Sequence, residues 1–255
     1  MRNFWEKFME LKNKYILLTG SKGLIGKAIM RELKKKNKII SIDKYNIQTH
    51  KNVDHYICDL EFRKDRNIVS QKIKKKYKKI DILINCAGVV SDFFSENLTD
   101  IDKQNPKIWD KFIETNLTSI FDLICKFKSN LERSHNPSII NISSIYATSY
   151  PDWEMYKNTK VQSILSYSVS KGGLLNLTKW LATYLAPKIR VNAISPGGIK
   201  RKQPKIFIKK YIKKTPMRRM CRTDDVVNCI KFLSSYESSY ITGQNIVLDG
   251  GFTLA

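Results

Sequence analysis

The pattern Tyr-x-x-x-Lys occurs twice within the stretch YKNTKVQSILSYSVSK, as Tyr156 with Lys160 and as Tyr167 with Lys171. On a helix, residues four positions apart lie on one face, so each lysine would stand one turn beyond its tyrosine. A free tyrosine has a pKa near ~10, which a neighbouring ammonium group lowers electrostatically. Either pair can therefore act as a general acid or base, and the surrounding sequence must distinguish them.

Short apolar runs alternate with helical patterns along the chain. The runs are YILLTG, KIISID, VDHYICDL, IDILINCAG, SIINISS, IRVNAIS and NIVLDGG, and helices are predicted between them at 24–36, 63–77, 109–131, 174–185 and 224–234. Strands separated by helices predict a parallel sheet with helices on both faces. Because the sequence contains no linker-like segment and no repeat, we predict a single α/β domain over residues 1–255, with a Rossmann-type, doubly wound sheet of about seven strands.

The composition argues against several classes of partner. The formal net charge is +23, but no DNA- or RNA-binding pattern occurs, so we expect no nucleic-acid partner. No apolar run approaches the ~20 residues of a membrane span, and the N-terminus lacks a signal-peptide apolar region. The five cysteines are scattered and the three histidines lack metal-ligand spacing. We therefore expect a cytoplasmic protein with no membrane contact and no metal.

The first apolar run ends in TGSKGLIG, which has G-x-x-G-x-x-G spacing and precedes a predicted helix. Glycines in such a turn let the backbone approach a pyrophosphate, and the N–H groups of the helix N-terminus then bind it. We expect the whole loop to contact a dinucleotide: Gly20, Ser21, Lys22, Gly23, Leu24, Ile25 and Gly26.

A carboxylate ends the second run. Asp43 can accept hydrogen bonds from an adenosine ribose and would repel a 2′-phosphate, which favours NAD over NADP. Lys22 and Lys44 favour the opposite, since either lysine could reach a 2′-phosphate. Asp59, at the end of the third run, is placed with Leu60 to touch the adenine, although Asp59 could instead cap the next helix.

Further motifs follow in order: NCAG at 85–88, Asn116 in ETNLTSIF, NISS at 141–144, YSVSK at 167–171, IRVNAISPGG at 189–198 and ITGQNIVLDGG. Together they resemble the short-chain dehydrogenase/reductase family over nearly the whole chain. The glycine spacing is that of the longer sugar-nucleotide members, and the threonine that often follows Pro-Gly is missing. The resemblance implies an NAD(P)-dependent oxidoreductase. Its cofactor would also contact Asn85, Ala87, Gly88, Tyr167, Lys171, Pro196, Gly197 and Ile199.

Spacing decides between the two tyrosines. Tyr156 lies 12 residues after Ser144, as is usual in the family, whereas Tyr167 lies 23 after it. The number of residues from the tyrosine to the strand IRVN, however, is family-like only for Tyr167. From Tyr156 it is 11 residues too large. The lysine must also project from a helix that packs beside the nucleotide, so we predict that Tyr167 and Lys171 are the catalytic pair. Residues 149–166 then form an insertion that overhangs the active site.

The predicted catalytic residues are Asn116, Ser144, Tyr167 and Lys171. Tyr167 would be the general acid or base, and Lys171 would lower its pKa and bind the nicotinamide ribose. Ser144 would orient the substrate oxygen, with Ser143 as the alternative. By resemblance Asn116 supports a water relay, unless it is only a helix-packing amide.

A narrower resemblance concerns the substrate. NISSIY, PDWEMYKNT, YSVSKGG, LTKWLATYLA and SPGGIKRKQP resemble the subgroup called flagellin modification protein A, which are sugar-pathway oxidoreductases. This implies an activated sugar as the substrate, in surface-glycan or flagellin modification, and the wider family implies a homodimer or homotetramer. A 3-oxoacyl-[acyl-carrier-protein] reductase and a non-catalytic nucleotide-binding regulatory protein remain as alternatives.

Residues 199–222 form a basic substrate loop, in which half of the side chains at 200–219 are Lys or Arg. Loops at this position in the fold are often mobile lids. The charge either belongs to a solvated helix or attracts an anionic small molecule such as a sugar phosphate or nucleotide sugar. Tyr146, Tyr156 and Lys200 are the predicted substrate contacts.

Overall fold

Seven parallel strands form one sheet in a computed structural model that describes residues 11–48, 50–90, 100–103, 105–159 and 161–255. The strand order across the sheet is β3-β2-β1-β4-β5-β6-β7. The strands are β1 (Tyr15–Thr19), β2 (Lys38–Asp43), β3 (Val53–Ile57), β4 (Ile82–Asn85), β5 (Ser138–Ile142), β6 (Arg190–Pro196) and β7 (Asn245–Leu248). This arrangement confirms the predicted Rossmann-type, doubly wound α/β fold.

Eight α-helices lie among the described residues. They are α1 (Leu24–Leu33), α2 (Arg63–Lys76), α3 (Pro106–Ile113), α4 (Ser119–Glu132), α5 (Trp153–Tyr156), α6 (Leu165–Leu185), α7 (Lys205–Lys214) and α8 (Thr223–Ser234). A π-helical segment, Glu114–Thr118, joins α3 directly to α4. This helical run begins three residues earlier than predicted, because Asn105 caps the backbone N–H of Lys107 and Pro106 occupies the first helical position.

Apolar side chains on both faces of the sheet explain the strand sequences. Helices α2, α4 and α6 cover one face around residues such as Leu17, Ile40 and Leu83. Helices α1 and α8 cover the other face, around residues such as Ile16 and Ile84. Because neighbouring residues of a strand point to opposite faces, a strand covered on both sides must be apolar throughout. Within the described chain, no helix is both long and apolar enough to cross a bilayer.

The strand order reverses beside β1, which pairs with β2 on one side and β4 on the other. In open parallel sheets, ligands bind outside the carboxyl ends of the strands at such a reversal. The glycine loop follows β1 directly, and the loop 86–90 follows β4, so both meet at this edge.

At the amino end of the outer strand β3, one carboxylate accepts three hydrogen bonds. Asp54 accepts from the Lys38 ammonium group at 2.5 Å, from the Lys76 ammonium group and from the Tyr77 hydroxyl group. Burial alone would raise the pKa of Asp54, but these three donors outweigh it and hold that pKa well below its usual range. The carboxylate thus ties β3 to β2 and to the end of α2.

Replacing Asp54 with Asn should lower the free energy of unfolding by about 1–3 kcal/mol at pH 7, because charged hydrogen bonds are lost. A depressed folded-state pKa adds stability above the unfolded-state value of about 3.9, and that stability is lost as the pH falls below it. Denaturant titration should therefore show the difference from wild type shrinking by pH 3. The control is Asp224→Asn, which breaks an exposed pair with Arg31 and should lower the free energy of unfolding much less. Equal losses in both variants would contradict the special role of Asp54.

Candidate active site

The glycine loop is packed too closely to accept side chains at two of its glycines. Gly20 has a left-handed φ of +73°, and an added Cβ would lie 2.6 Å from the Cα of Ala87. A Cβ on Gly26 would lie 2.0 Å from the carbonyl oxygen of Gly20. Gly23 is the N-cap of α1, so the helix N-terminus opens beside this turn. The loop therefore leaves bare backbone beside a helix N-terminus, an arrangement that can bind a phosphate.

A cleft of about 650 Å³ begins at this loop and runs along the ends of β2 and β3. Several predicted cofactor contacts line it: Gly20, Lys22, Gly23, Asp43, Lys44, Asp59, Leu60, Ala87 and Gly88. A second cleft of about 320 Å³ adjoins it and shares Gly20, Gly23, Cys86, Gly88 and Val89 as lining residues. The two clefts are therefore one continuous site.

Charges of both signs border the larger cleft. The Asp43 carboxylate accepts hydrogen bonds from the backbone N–H groups of Lys22, at 2.8 Å, and Tyr45, at 3.1 Å. The ammonium groups of Lys22 and Lys44 lie 5.0 and 5.3 Å from the centre of the Tyr45 ring. The carboxylate that favours NAD and the lysines that favour a 2′-phosphate thus occupy the same end of the cleft.

A buried arginine that the sequence analysis missed supports the outer wall of this cleft. The Arg66 guanidinium pairs with Glu114 at 2.7 Å and Asp122 at 2.8 Å, and it donates to the carbonyl oxygens of Leu60 and Glu61. Its side chain is only 1% exposed. Leu60 and Glu61 line the cleft. Arg66 therefore joins the loop between β3 and α2, which contains Leu60 and Glu61, to the π-helical segment and α4.

The sequence did carry a signal for Arg66. It precedes Val69 by three positions and Ile73 by seven, so all three belong to one helical face. Val69 and Ile73 are core residues, and a cation in such a stripe indicates a buried charge that needs partners.

The smaller cleft brings together the residues of the predicted catalytic pair and the serine. Ser144, Tyr167 and Lys171 all line it, together with Pro196, Gly197 and Ile199 of the Pro-Gly segment. Leu24, Ile25 and Gly26 of the glycine loop line its other end. Tyr167 lies in the first turn of α6, so its lysine follows one turn later on the same helix.

Lys171 is a buried cation at the base of this cleft. Its ammonium group donates to the carbonyl oxygen of Ile142 at 2.8 Å and lies 5.9 Å from the centre of the Tyr167 ring. Burial lowers the pKa of Lys171 to about 8, so the group remains mostly charged at neutral pH. A positive charge fixed beside the phenol favours the ionised form of that phenol.

The neighbouring serines Ser143 and Ser144 differ in the hydrogen bonds that their hydroxyl groups form. The Ser143 hydroxyl donates to the carbonyl oxygen of Lys171 at 3.1 Å, so its proton is already used in packing against α6. The Ser144 hydroxyl accepts from the N–H group of Tyr146 at 3.2 Å and keeps its own proton for another acceptor. The geometry supports Ser144 as the serine that meets the substrate, as predicted.

Asn116 lies behind the cleft rather than in its lining. Its side-chain oxygen accepts from the N–H group of Val89 at 2.8 Å, and its amide group donates to the carbonyl oxygen of Val89 and the hydroxyl of Ser170. Ser170 in turn donates to the carbonyl oxygen of Tyr167 at 2.8 Å. The side chain of Asn116 therefore fixes the loop after β4 against the start of α6, and the water relay stays a prediction.

Three other predicted contacts lie away from the lining of both clefts. The hydroxyl of Ser21 is buried against Ser41, and the amide group of Asn85 donates to Asn141 inside the sheet at 2.8 Å. Lys200 bonds through its backbone to Cys221, while Arg201 and Gln203 line the smaller cleft in its place. A short polar side chain at a strand end can turn inward or outward, which spacing alone does not reveal.

The first Tyr-x-x-x-Lys copy lies in the predicted insertion. Tyr156 ends the short helix α5 and lines the smaller cleft, where its hydroxyl bonds to that of Tyr146. Lys160 lies outside the described residues. The insertion thus supplies part of the cleft wall next to the predicted catalytic pair.

Two lysines of the basic loop hold the insertion instead of facing the cleft. Lys214 forms an ion pair with Asp152 at 3.0 Å. The ammonium group of Lys210 donates to the carbonyl oxygens of Glu154, at 2.8 Å, and Lys157, at 2.9 Å. These two side chains are therefore neither simply solvated nor placed for an anionic substrate, and they join α7 to the insertion.

The chain matches known proteins over most of its length. A family's sequence model described as enoyl-(acyl carrier protein) reductase matches residues 33–253. The 3-oxoacyl-[acyl-carrier-protein] reductase FabG of Thermotoga maritima is 31% identical over 263 residues, which cover 96% of this chain and 100% of that protein. The post-translational flagellin modification protein A of Campylobacter coli is 30% identical over 258 residues, with coverage of 96% and 100%.

A solved structure shares the fold closely. The short-chain dehydrogenase of Leptospira borgpetersenii serovar Hardjo-bovis, solved with bound NAD+, is 34% identical and superimposes with a TM-score of 0.86. The match covers 96% of this chain and 94% of that one. Relatives named for carrier-protein reduction and for flagellin modification have nearly equal identity, so similarity alone does not choose between those two functions.

Replacing Arg66 with Lys should weaken the binding of NADH about tenfold, because a lysine cannot hold Leu60, Glu114 and Asp122 at once. Fluorescence titration of NADH measures the effect. Arg190→Lys is the matched control, since Arg190 is also buried against backbone carbonyl groups but bonds to no residue that lines either cleft. Both variants should melt at a lower temperature. An equal loss of NADH affinity in both would show that Arg66 acts only through overall stability.

Proposed function

We propose that this chain, which belongs to the short-chain dehydrogenase/reductase family and is an NAD(P)-dependent oxidoreductase, acts on an activated sugar in surface-glycan or flagellin modification. The observation that carries the proposal is the cleft wall built by the insertion. It brings the hydroxyl group of Tyr156 to that of Tyr146 in the same cleft as Ser144 and Tyr167, with the exposed Arg201 on the lining. Hydroxyl groups together with cationic side chains suit a polar, anionic substrate.

The fit of the site to a nicotinamide dinucleotide rests on its backbone. A side chain at Gly20 would collide with the loop after β4, one at Gly26 would collide with the glycine loop itself, and the N-terminus of α1 opens beside them. The larger cleft would hold the adenosine part and the smaller cleft the nicotinamide part. Bound there, the nicotinamide ring supplies or accepts the hydride.

The protein's own residues would handle the proton. Tyr167 donates a proton to the substrate oxygen during reduction and removes it during oxidation. The Lys171 ammonium group, buried beside the phenol, stabilises the charge that remains on Tyr167. Ser144 donates its free hydroxyl proton to the same substrate oxygen and so stabilises developing charge. Asn116 keeps Val89 and α6 in fixed positions while this occurs.

A 3-oxoacyl-[acyl-carrier-protein] reductase is the second candidate. The observations that favour it are the FabG relative at 31% identity and the basic surface, which would attract an acidic carrier protein. Against it stands the hydroxylated wall of the smaller cleft, which an acyl chain would leave without hydrogen-bond partners.

A homo-oligomer is part of the same proposal. Helices α4 and α6 expose large apolar side chains, including Phe121, Val169 and Trp180. Water contact with such side chains is unfavourable, and a second copy of the chain would remove it.

Replacing Tyr167 with Phe should reduce kcat at least about a hundredfold, because the substrate oxygen loses its proton donor. Turnover is followed through NADH or NADPH absorbance, with keto-sugars, their phosphates and acetoacetyl thioesters as substrates. The matched change in the other motif, Tyr156→Phe, should lower kcat by no more than about tenfold, as expected for one substrate hydrogen bond. Full turnover by Tyr167→Phe on any substrate found would refute the assigned mechanism. A preference for the thioesters would select the second candidate.

Replacing Asp43 with Asn should lower the preference for NAD over NADP by roughly 10- to 100-fold, since a full negative charge near the 2′-phosphate is removed. The measurement is the ratio of kcat/KM values for NAD and NADP with one substrate. Asp59→Asn, in the same cleft, is the control and should change both values together. A wild-type enzyme that prefers NADP would mean that Lys22 and Lys44 outweigh the carboxylate.

A further inference from the structure

The substrate end of the smaller cleft carries hydrogen-bonding groups that the mechanism above leaves unused. Tyr146 and Tyr156 line it, and their hydroxyl groups bond to each other. Ser163 lines it too, with 6% of its surface exposed, and its hydroxyl has no hydrogen-bond partner among the residues that the structure describes. Buried polar groups without partners are rare in folded proteins. We therefore expect a ligand with polar atoms to bind at this wall.

The protons of the two phenols give the wall its donor capacity. Burial raises the pKa of Tyr156 to about 12 and raises that of Tyr146 further, so both are neutral at physiological pH. Ser163 lies near enough to Tyr156 to oppose that rise, without reaching hydrogen-bonding geometry. Two phenols hold two protons, and the bond between them uses only one. The other proton is free for an oxygen atom that enters the cleft.

The same wall is aromatic as well as hydroxylated. The Tyr156 ring lies 5.7 Å from that of Phe207 and 6.3 Å from that of Trp153, measured between ring centres. Apolar ring faces beside hydroxyl groups suit a polyhydroxylated carbon skeleton, which presents C–H groups in one direction and O–H groups in another. An unbranched acyl chain would cover these hydroxyl groups and leave them unsatisfied.

We infer that Tyr146, Tyr156 and Ser163 recognise a hydroxyl group on a carbon that neighbours the reacting carbon. The substrate class is then a vicinal diol, or the hydroxy ketone that forms from it. Proximity supports this position, because the N–H group of Tyr146 donates to the Ser144 hydroxyl at 3.2 Å and both phenols line the same cleft as Tyr167. The reaction is that of the proposed function, on which the inference rests: diol and NAD+ give hydroxy ketone, NADH and one proton.

The test compares the oxidation of cyclohexane-1,2-diol with that of cyclohexanol, using NAD+ and the whole chain. The wild type should prefer the diol by at least about tenfold in kcat/KM, the value of one neutral hydrogen bond. Tyr146→Phe, Tyr156→Phe and Ser163→Ala should each reduce that preference severalfold or more. Tyr150→Phe is the matched control, since Tyr150 is 87% exposed and lines neither cleft, and it should keep the wild-type ratio.

Two further measurements distinguish a variant that fails to fold, or an alcohol that is not oxidised, from a loss of diol recognition. Melting curves identify variants that fail to fold, and Ser163→Ala removes the least side-chain volume if the tyrosine variants do. If neither alcohol is oxidised, calorimetric titration of both into the protein–NADH complex supplies the same ratio from dissociation constants. A wild type without preference for the diol, or variants that keep that preference, would overturn the inference while the oxidoreductase function stands. Failure to bind either NADH or NADPH would instead overturn the proposed function.

Discussion

The close contact of three chain segments at Gly20 is the constraint on which the site depends. The turn after β1, the loop after β4 and the first turn of α1 meet there with no room for a Cβ on Gly20 or Gly26. The backbone N–H group of Gly20 also bonds to the carbonyl oxygen of Ile42 at the end of β2. Strand ends and helix N-terminus are thereby fixed within a few ångströms, and both clefts share this floor.

Buried polar side chains extend that floor to the helices. Asn116 joins the loop after β4 to α6, which carries Tyr167 and Lys171. Arg66 joins the loop between β3 and α2 to the π-helical segment that contains Asn116. Leaving such a buried polar side chain without one of its partners costs free energy. Only one arrangement of these side chains is therefore stable. The larger and the smaller cleft are consequently both tied to one π-helical segment.

The sequence predicts the seven strands, the glycine loop and the catalytic pair, because each leaves a pattern in residue type and spacing. Strands covered on both faces read as apolar runs, and the helix that follows Tyr167 leads at the right length into β6. The partners of Arg66 and Lys210 leave no such pattern, since Glu114, Asp122 and Glu154 are brought near only by the fold. Side-chain direction at strand ends is equally hidden, as Asn85 and Ser21 show.

The doubled Tyr-x-x-x-Lys motif is explained by what the insertion does. If Tyr156 were the general acid, its hydroxyl would need a nearby fixed cation, yet that hydroxyl is bonded to Tyr146 and burial raises its pKa to about 12. Tyr167 instead lies beside the buried Lys171 ammonium group. Two lysines of α7 bind the insertion at Asp152 and α5, so Tyr156 is held in the cleft wall. The proposed proton transfer therefore falls to Tyr167, and Tyr156 is left as the protonated hydrogen-bonding group that we propose for substrate binding.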